Sequence, residues 1–197
     1  MSQSHRSRGR FAVLVAAFAA VLAFAVPSAA QAASLTQTDF TLKSSWVSYI
    51  SNPLWANAQP ITTSWSSLGA NTYAVPVTGT TGNVRTHSGN IAFDVDLHDI
   101  HVTLANLTVT RASSTATTAT VSADVSYDPV SSETIVSDRR DVFTFPLTGG
   151  VPGPDGEKTF TDRVLSLTAG GAQLFNGGSN GSYAAGQAWG DISVVFP

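Results

Sequence analysis

Beyond residue 60 the chain is written largely in a period of two. In "GNIAFDVDL", Ile91, Phe93, Val95 and Leu97 share one face, while Ala92, Asp94 and Asp96 share the other. The parity then reverses, with Ile100, Val102 and Leu104 apolar at even positions. A strand cannot exchange faces without a bulge or a turn. The pattern therefore predicts a hairpin turning near Asp96–Asp99, with His98 in the turn and His101 on the polar face of the returning strand. "ATVSADVSY" keeps Val121, Ala123 and Val125 in phase and predicts another strand. "TYAVPV" predicts one more, with Pro76 suggesting an edge position because proline donates no ladder hydrogen bond. "DVFTFPL" has Val142 out of phase with Phe143 and Phe145 and predicts a short buried or edge strand; "DISVVF" predicts the last. "GTTGN" and "GGVPGPDGE" separate these runs as turns.

One stretch has a different period. In residues 39–52, "DFTLKSSWVSYISN", Leu42, Trp46, Tyr49 and Ile50 fall at i, i+4, i+7 and i+8, one face of a helix. Thr36, Thr38 or Asp39 is placed to cap it, and Asn52-Pro53 to stop it. No other substantial helix is expected in the folded domain. The fold class is therefore all-β: an antiparallel sandwich or barrel-like domain with one N-terminal amphipathic helix packed on it.

The first 32 residues change the picture of where the protein works. Arg6, Arg8 and Arg10 precede an apolar run from Phe11 to Val26, which Pro27 ends; Ala30-Gln31-Ala32 has the small-residue pattern of a cleavage site. The run is too short to span a bilayer comfortably, which takes about 20 residues. Residues 1–32 are expected to be a secretory signal peptide and residues 33–197 a single domain. No second apolar run follows, so no transmembrane anchor is expected, and the protein is expected to be secreted, extracellular or associated with the cell envelope. Without the leader, seven basic side chains face thirteen acidic ones, a net charge of −6. An acidic surface disfavours nucleic acid, whose phosphates require neutralisation. The chain has no cysteine, so an exported domain must rely on its core, and thiolate chemistry and Cys-based zinc sites are excluded.

Candidate chemistry is sparse. Gly177-Gly178-Ser179-Asn180-Gly181 matches G-x-S-x-G, but it sits in a Gly/Asn-rich stretch and no histidine follows residue 101. A hydrolase therefore lacks a nucleophile–base pair, and no enzymatic activity is expected. Asp94, Asp96 and Asp99 fail the EF-hand spacing, since His98 and Asp99 occupy the fifth and sixth positions. His98 and His101 lack the further ligands a zinc site needs; an exposed polar role is the simpler one. Tyr49 lies in the helix stripe, where a core role is ordinary; a tyrosine is also an axial ligand to haem iron.

Three stretches together resemble the HtaA-type, haem-transport-associated domain of secreted and surface-anchored actinobacterial proteins. "FTLKSSWVSYI" resembles the family's opening helix through Trp46, Tyr49 and Ile50. "SGNIAFDVDLHDIHVTLANLTV" resembles its central pattern through Gly89, Ile91, Phe93, Ile100, Val102, Leu104, Asn106 and Val109, without a gap. "LTAGGAQLF" followed by "YAAG" at 183–186 resembles its close. The resemblance spans nearly all of residues 33–197 and implies an antiparallel β domain that binds haem. It implies an axial ligand in the opening helix, which is Tyr49, and a second tyrosine near the C-terminus, which is Tyr183. The family's histidine, which supports the axial tyrosine, falls on Asp96 in gapless register, with His98 two residues on; either is expected to partner Tyr49. Trp46, Phe93, Phe175 and Trp189 would supply an apolar pocket. The function implied is haem acquisition or relay, with haem, a haem-carrying protein or another surface haem receptor as partner. A structural or interaction module of the envelope, on the same scaffold without haem, is the alternative, and Asp96 in place of the histidine favours it.

Overall fold

The computed structural model describes residues 33–128, 135–177 and 183–197. The expected signal peptide and the glycine-rich run at 178–181 lie outside the described residues. In chain order the strands are β1 (Gln37–Leu42), β2 (Ile61–Thr63), β3 (Ser66–Gly69), β4 (Thr72–Thr81), β5 (Val84–His87), β6 (Asn90–Val95), β7 (Ile100–Arg111), β8 (Thr118–Tyr127), β9 (Val136–Pro146), β10 (Val151–Pro152), β11 (Lys158–Leu167) and β12 (Ala188–Phe196). Two helices, α1 (Ser44–Ile50) and α2 (Ala169–Gly177), and a 3-10 turn over Asp96–His98 complete the described elements.

Eight antiparallel strands close on themselves in the order β7-β5-β4-β1-β12-β11-β9-β8, the ring being completed by β7–β8 pairing. Of the sandwich and barrel alternatives, the chain thus adopts the barrel, which leaves the ring without open edges. β6 pairs with the first half of β7 and carries β2 on its other side; β5 pairs with the second half of β7. The wall therefore splits at one end. There the β6–β7 hairpin and α1 come together.

The period-two residues do what their spacing requires. Ile91, Phe93, Val95, Ile100, Val102 and Leu104 all point inward and are buried. The parity reversal falls at the 3-10 turn, where Asp99 adopts the left-handed conformation at φ 54° that lets the chain turn back.

Several elements differ from the sequence expectation. The predicted helix over 39–52 is a strand followed by a helix: β1 takes Gln37–Leu42 and α1 begins only at Ser44. Phe40 and Leu42 alternate inward along β1, so Leu42 belongs to a period of two and only coincides with the helical stripe of Trp46, Tyr49 and Ile50. Thr36, Thr38 and Asp39 consequently cap nothing; Lys43 precedes the helix, without a side-chain cap bond. The helix stops at Ser51, just before Asn52-Pro53.

A second helix, α2, forms from "AGGAQLFNG", whose glycines hide it in the sequence. Thr168 Oγ1 accepts the Gly171 N–H at 3.0 Å and starts it. A Cβ on Gly171 would stand 2.1 Å from the Val142 carbonyl, so the missing side chain is what lets α2 lie on β9. Pro76 is not on an edge: β4 runs between β1 and β5, and a register shift between Val77 and Gly79 accommodates it. β9 is an eleven-residue interior strand between β8 and β11, and a register shift at Val121/Ser122 lets adjacent Val142 and Phe143 both be buried.

Candidate functional site

α1 closes the split end of the barrel. Trp46 and Ile50, one turn apart, are buried, and Tyr49 on the same stripe is half-buried at the rim. Trp46 is the centre of an aromatic cluster. Its ring lies 5.7 Å from Phe93, 5.5 Å from Phe175, 5.3 Å from Trp189 and 6.1 Å from Tyr183, mostly edge to face. Phe175 stacks on Trp189 at 3.7 Å. Strand β6, helices α1 and α2 and strand β12 thus each contribute one ring to the packed cluster.

The Tyr49 hydroxyl meets Nδ1 of His98 in a short hydrogen bond. The phenol donates when the imidazole carries its own proton on Nε2. The structure therefore brings His98, the residue in the 3-10 turn, to the tyrosine. Asp96 is exposed and stands on the other side of the turn, where Asp94, Asp96 and His101 each bring a ligand-type atom within 4.8 Å of the others. Asp94 and His101 pair across β6 and β7 at 2.8 Å, and Asp99 lies 3.8 Å from the other imidazole nitrogen. That exposed ion-paired group faces away from the aromatic cluster.

Tyr183 is half-buried and packs 5.4 Å from Trp189. Asn176 at the end of α2 holds its backbone in both directions, accepting the Tyr183 N–H and donating to the Tyr183 carbonyl, each at 2.8 Å. Burial pushes the Tyr183 phenol above its ordinary pKa, and the Tyr49 phenol nearby pushes it further. The two hydroxyls therefore belong to one region. Lys43 reaches the same rim: its amine donates to the Ala188 carbonyl at 3.1 Å and lies 5.7 Å from the Tyr183 ring.

The eight residues expected from the sequence thus divide into two sets. Tyr49, His98, Tyr183, Trp46, Phe93, Phe175 and Trp189 converge, and Asp96 does not. Sequence reasoning missed Trp55, which stacks on His98 at 4.8 Å and 18°. A tryptophan standing in the Asn/Pro-rich run "NPLWANAQP" was the only available signal. It also missed Lys43, which was hidden inside an overlong helix.

The arrangement offers a phenol oxygen with an imidazole partner, at the rim of a packed aromatic cluster in a closed antiparallel barrel. The class of protein is a small closed antiparallel β-barrel domain. The chain belongs to the HtaA family, whose model, described as Htaa, matches residues 36–194. Among solved structures it is similar to the C-terminal domain of HtaA from Corynebacterium glutamicum, with a TM-score of 0.65 and 17% identity over 80% of this chain and 94% of that one. It is also similar to the heme binding protein HtaB from Corynebacterium glutamicum, with a TM-score of 0.58 and 16% identity over 80% of this chain and 89% of that one. No curated protein sequence matches the chain. At these identities the solved structures establish a shared fold.

Proposed function

We propose that this protein is a secreted haem-binding module for haem acquisition or relay, holding ferric haem through the Tyr49 oxygen. The observation that carries the proposal is the Tyr49–His98 hydrogen bond at the rim of a packed aromatic cluster. It is supported by membership of the HtaA family and by the fold shared with a heme binding protein.

The residues fit the group. Ferric iron favours an anionic oxygen, and the phenolate of Tyr49 supplies one while His98 takes up or shares the proton. A porphyrin is flat and apolar with two carboxylates on one edge. The half-buried rings of Tyr49 and Tyr183 offer apolar faces backed by the packed cluster of Trp46, Phe93, Phe175 and Trp189, and Lys43 brings an ammonium to the same rim. The indole N–H groups of Trp46 and Trp189 are buried without a hydrogen-bond partner among the described residues, which marks a cluster built around aromatic faces. Haem bound in this way is carried, and the protein needs no catalytic group. Residues 1–32 direct export. Among the described residues no helix is long and apolar enough to cross a membrane.

The structural-module alternative draws on Asp96 standing at the family's histidine position; the hydrogen bond of His98 to Tyr49 favours the haem reading over it. Titration of the protein with ferric haem, followed by absorbance, is expected to give a saturable Soret shift near one equivalent. A response no larger than that of an unrelated acidic protein would refute the haem reading.

A further inference from the structure

Tyr49 and His98 lie 49 positions apart on different elements, and His98 is half-exposed in a single 3-10 turn. One hydrogen bond fixes a distance but leaves the imidazole free to pivot about it. Residues 51–57 supply what is missing. This segment is a compact turn organised by Asn52, whose side-chain oxygen accepts the Leu54 N–H at 3.0 Å. The Asn52 carbonyl accepts the N–H groups of Trp55 and Ala56 at 3.1 and 2.8 Å.

From that base the segment makes three ties. Trp55 Nε1–H donates to the Tyr49 carbonyl at 2.9 Å, joining the Asn52 N–H that reaches the same oxygen at 3.3 Å at the end of α1. The Trp55 indole lies nearly parallel to the His98 ring. Asn57 Oδ1 accepts the Asp96 N–H at 3.3 Å, holding the first residue of the 3-10 turn.

We infer that residues 51–57 form a strap that positions the Tyr49–His98 pair, with Trp55 and Asn57 as its positioning residues. The indole face sets the plane of the imidazole, so that Nδ1 points at the phenol; the Asn57 bond sets the height of the turn; the indole N–H ties both to the helix that carries Tyr49. The strap acts through His98 and Tyr49 and does not itself ligate iron. Its role in haem binding rests on the reading of that pair given above, but its effect on His98 is measurable without haem.

The test is nitrogen NMR of the His98 ring in 15N-labelled, haem-free protein, with haem dissociation measured separately by capture with apomyoglobin. In the native protein the two His98 nitrogens are expected to show distinct shifts of a single fixed tautomer. Trp55→Leu is expected to collapse them toward averaged values and to speed haem loss by about tenfold, the lower end of what removal of a supporting partner costs a metal site. Trp55→Phe retains a stacking ring and is expected to restore the distinct nitrogen shifts. Asn57→Ala leaves every aromatic contact in place and is expected to perturb the same nitrogens.

Distinct and unchanged His98 shifts in folded Trp55→Leu would overturn the strap. Should that variant fail to fold, unchanged shifts in Asn57→Ala would overturn it equally. Fixed His98 shifts that respond to both substitutions, in a protein that takes up no haem, would retain the strap and refute the haem reading alone.

Discussion

At the scale of the residue, the proposed function has the pairing of Tyr49 with His98 divide the work between ligand and support. A phenol is a poor iron ligand while protonated, so the neighbouring acceptor matters as much as the oxygen. His98→Ala is expected to leave Tyr49 in place and the aromatic cluster intact, and to weaken haem binding by about 10- to 100-fold, the range found for loss of a partner behind a metal ligand. Equilibrium titration against a competing apoprotein measures this; an unchanged affinity would mean that the imidazole supports nothing. The placement of Tyr49 in a helix against the core was legible from its apolar stripe, and that of His98 from the reversal of parity that put it in a turn. The choice between His98 and Asp96 was not legible. Two residues of a 3-10 turn point in different directions, and no linear register states which side faces a helix 49 positions earlier. Trp55 was illegible for a similar reason, since its partners belong to other elements and it sits in a run without period.

At the scale of the element, strands whose inward residues alternate were readable, and the failures came from a residue shared by two periods, from glycines in a helix and from register shifts. Leu42 satisfies both the strand it belongs to and the helix that follows. Helix α2 has two glycines in its first turn and is held by docking on β9, which overrides weak propensity. Strand pairing also creates a pH-sensitive contact outside the Tyr49–His98 pair. His87 at the end of β5 is 4% exposed, with Nδ1 3.1 Å from the Leu107 carbonyl of β7 and Nε2 2.8 Å from the Thr38 hydroxyl of β1. Burial lowers its pKa from 6.5 to about 4; the Leu107 carbonyl opposes this and the Arg85 charge assists it. The unfolded chain therefore takes up this proton first as pH falls. The stability held above pH 6.5 is lost progressively between pH 6.5 and about 4, by roughly 3 kcal/mol in total. Urea unfolding across that range is expected to show this loss, and His87→Gln is expected to flatten it; an equally steep loss in the variant would show that other groups cause it.

At the scale of the whole molecule, the barrel is locked at the end away from the site. Arg85, fully buried, donates to the carbonyls of Val195, of Leu35 at 2.6 Å and of Ser34 at 3.2 Å, joining the chain ahead of β1 to the end of β12. Arg111 donates to Asn83 Oδ1 at 2.9 Å and to the Pro197 carbonyl at 2.6 Å, and its guanidinium lies over Phe196. The wall closes there without help from α1 or from the 3-10 turn. Changes at Tyr49, on the half-buried rim of the other end, should leave that closure intact, since distant sites with no shared partners act independently.

Tyr49→Phe is therefore a clean probe of the central claim, that the Tyr49 oxygen ligates the iron. The measurement is resonance Raman of the ferric haem-loaded protein, prepared with ordinary and with ring-deuterated tyrosine. The account predicts iron–tyrosinate bands that shift on deuteration and vanish in Tyr49→Phe while the barrel remains folded. Haem bound without those bands, or with bands that survive in Tyr49→Phe, would contradict it.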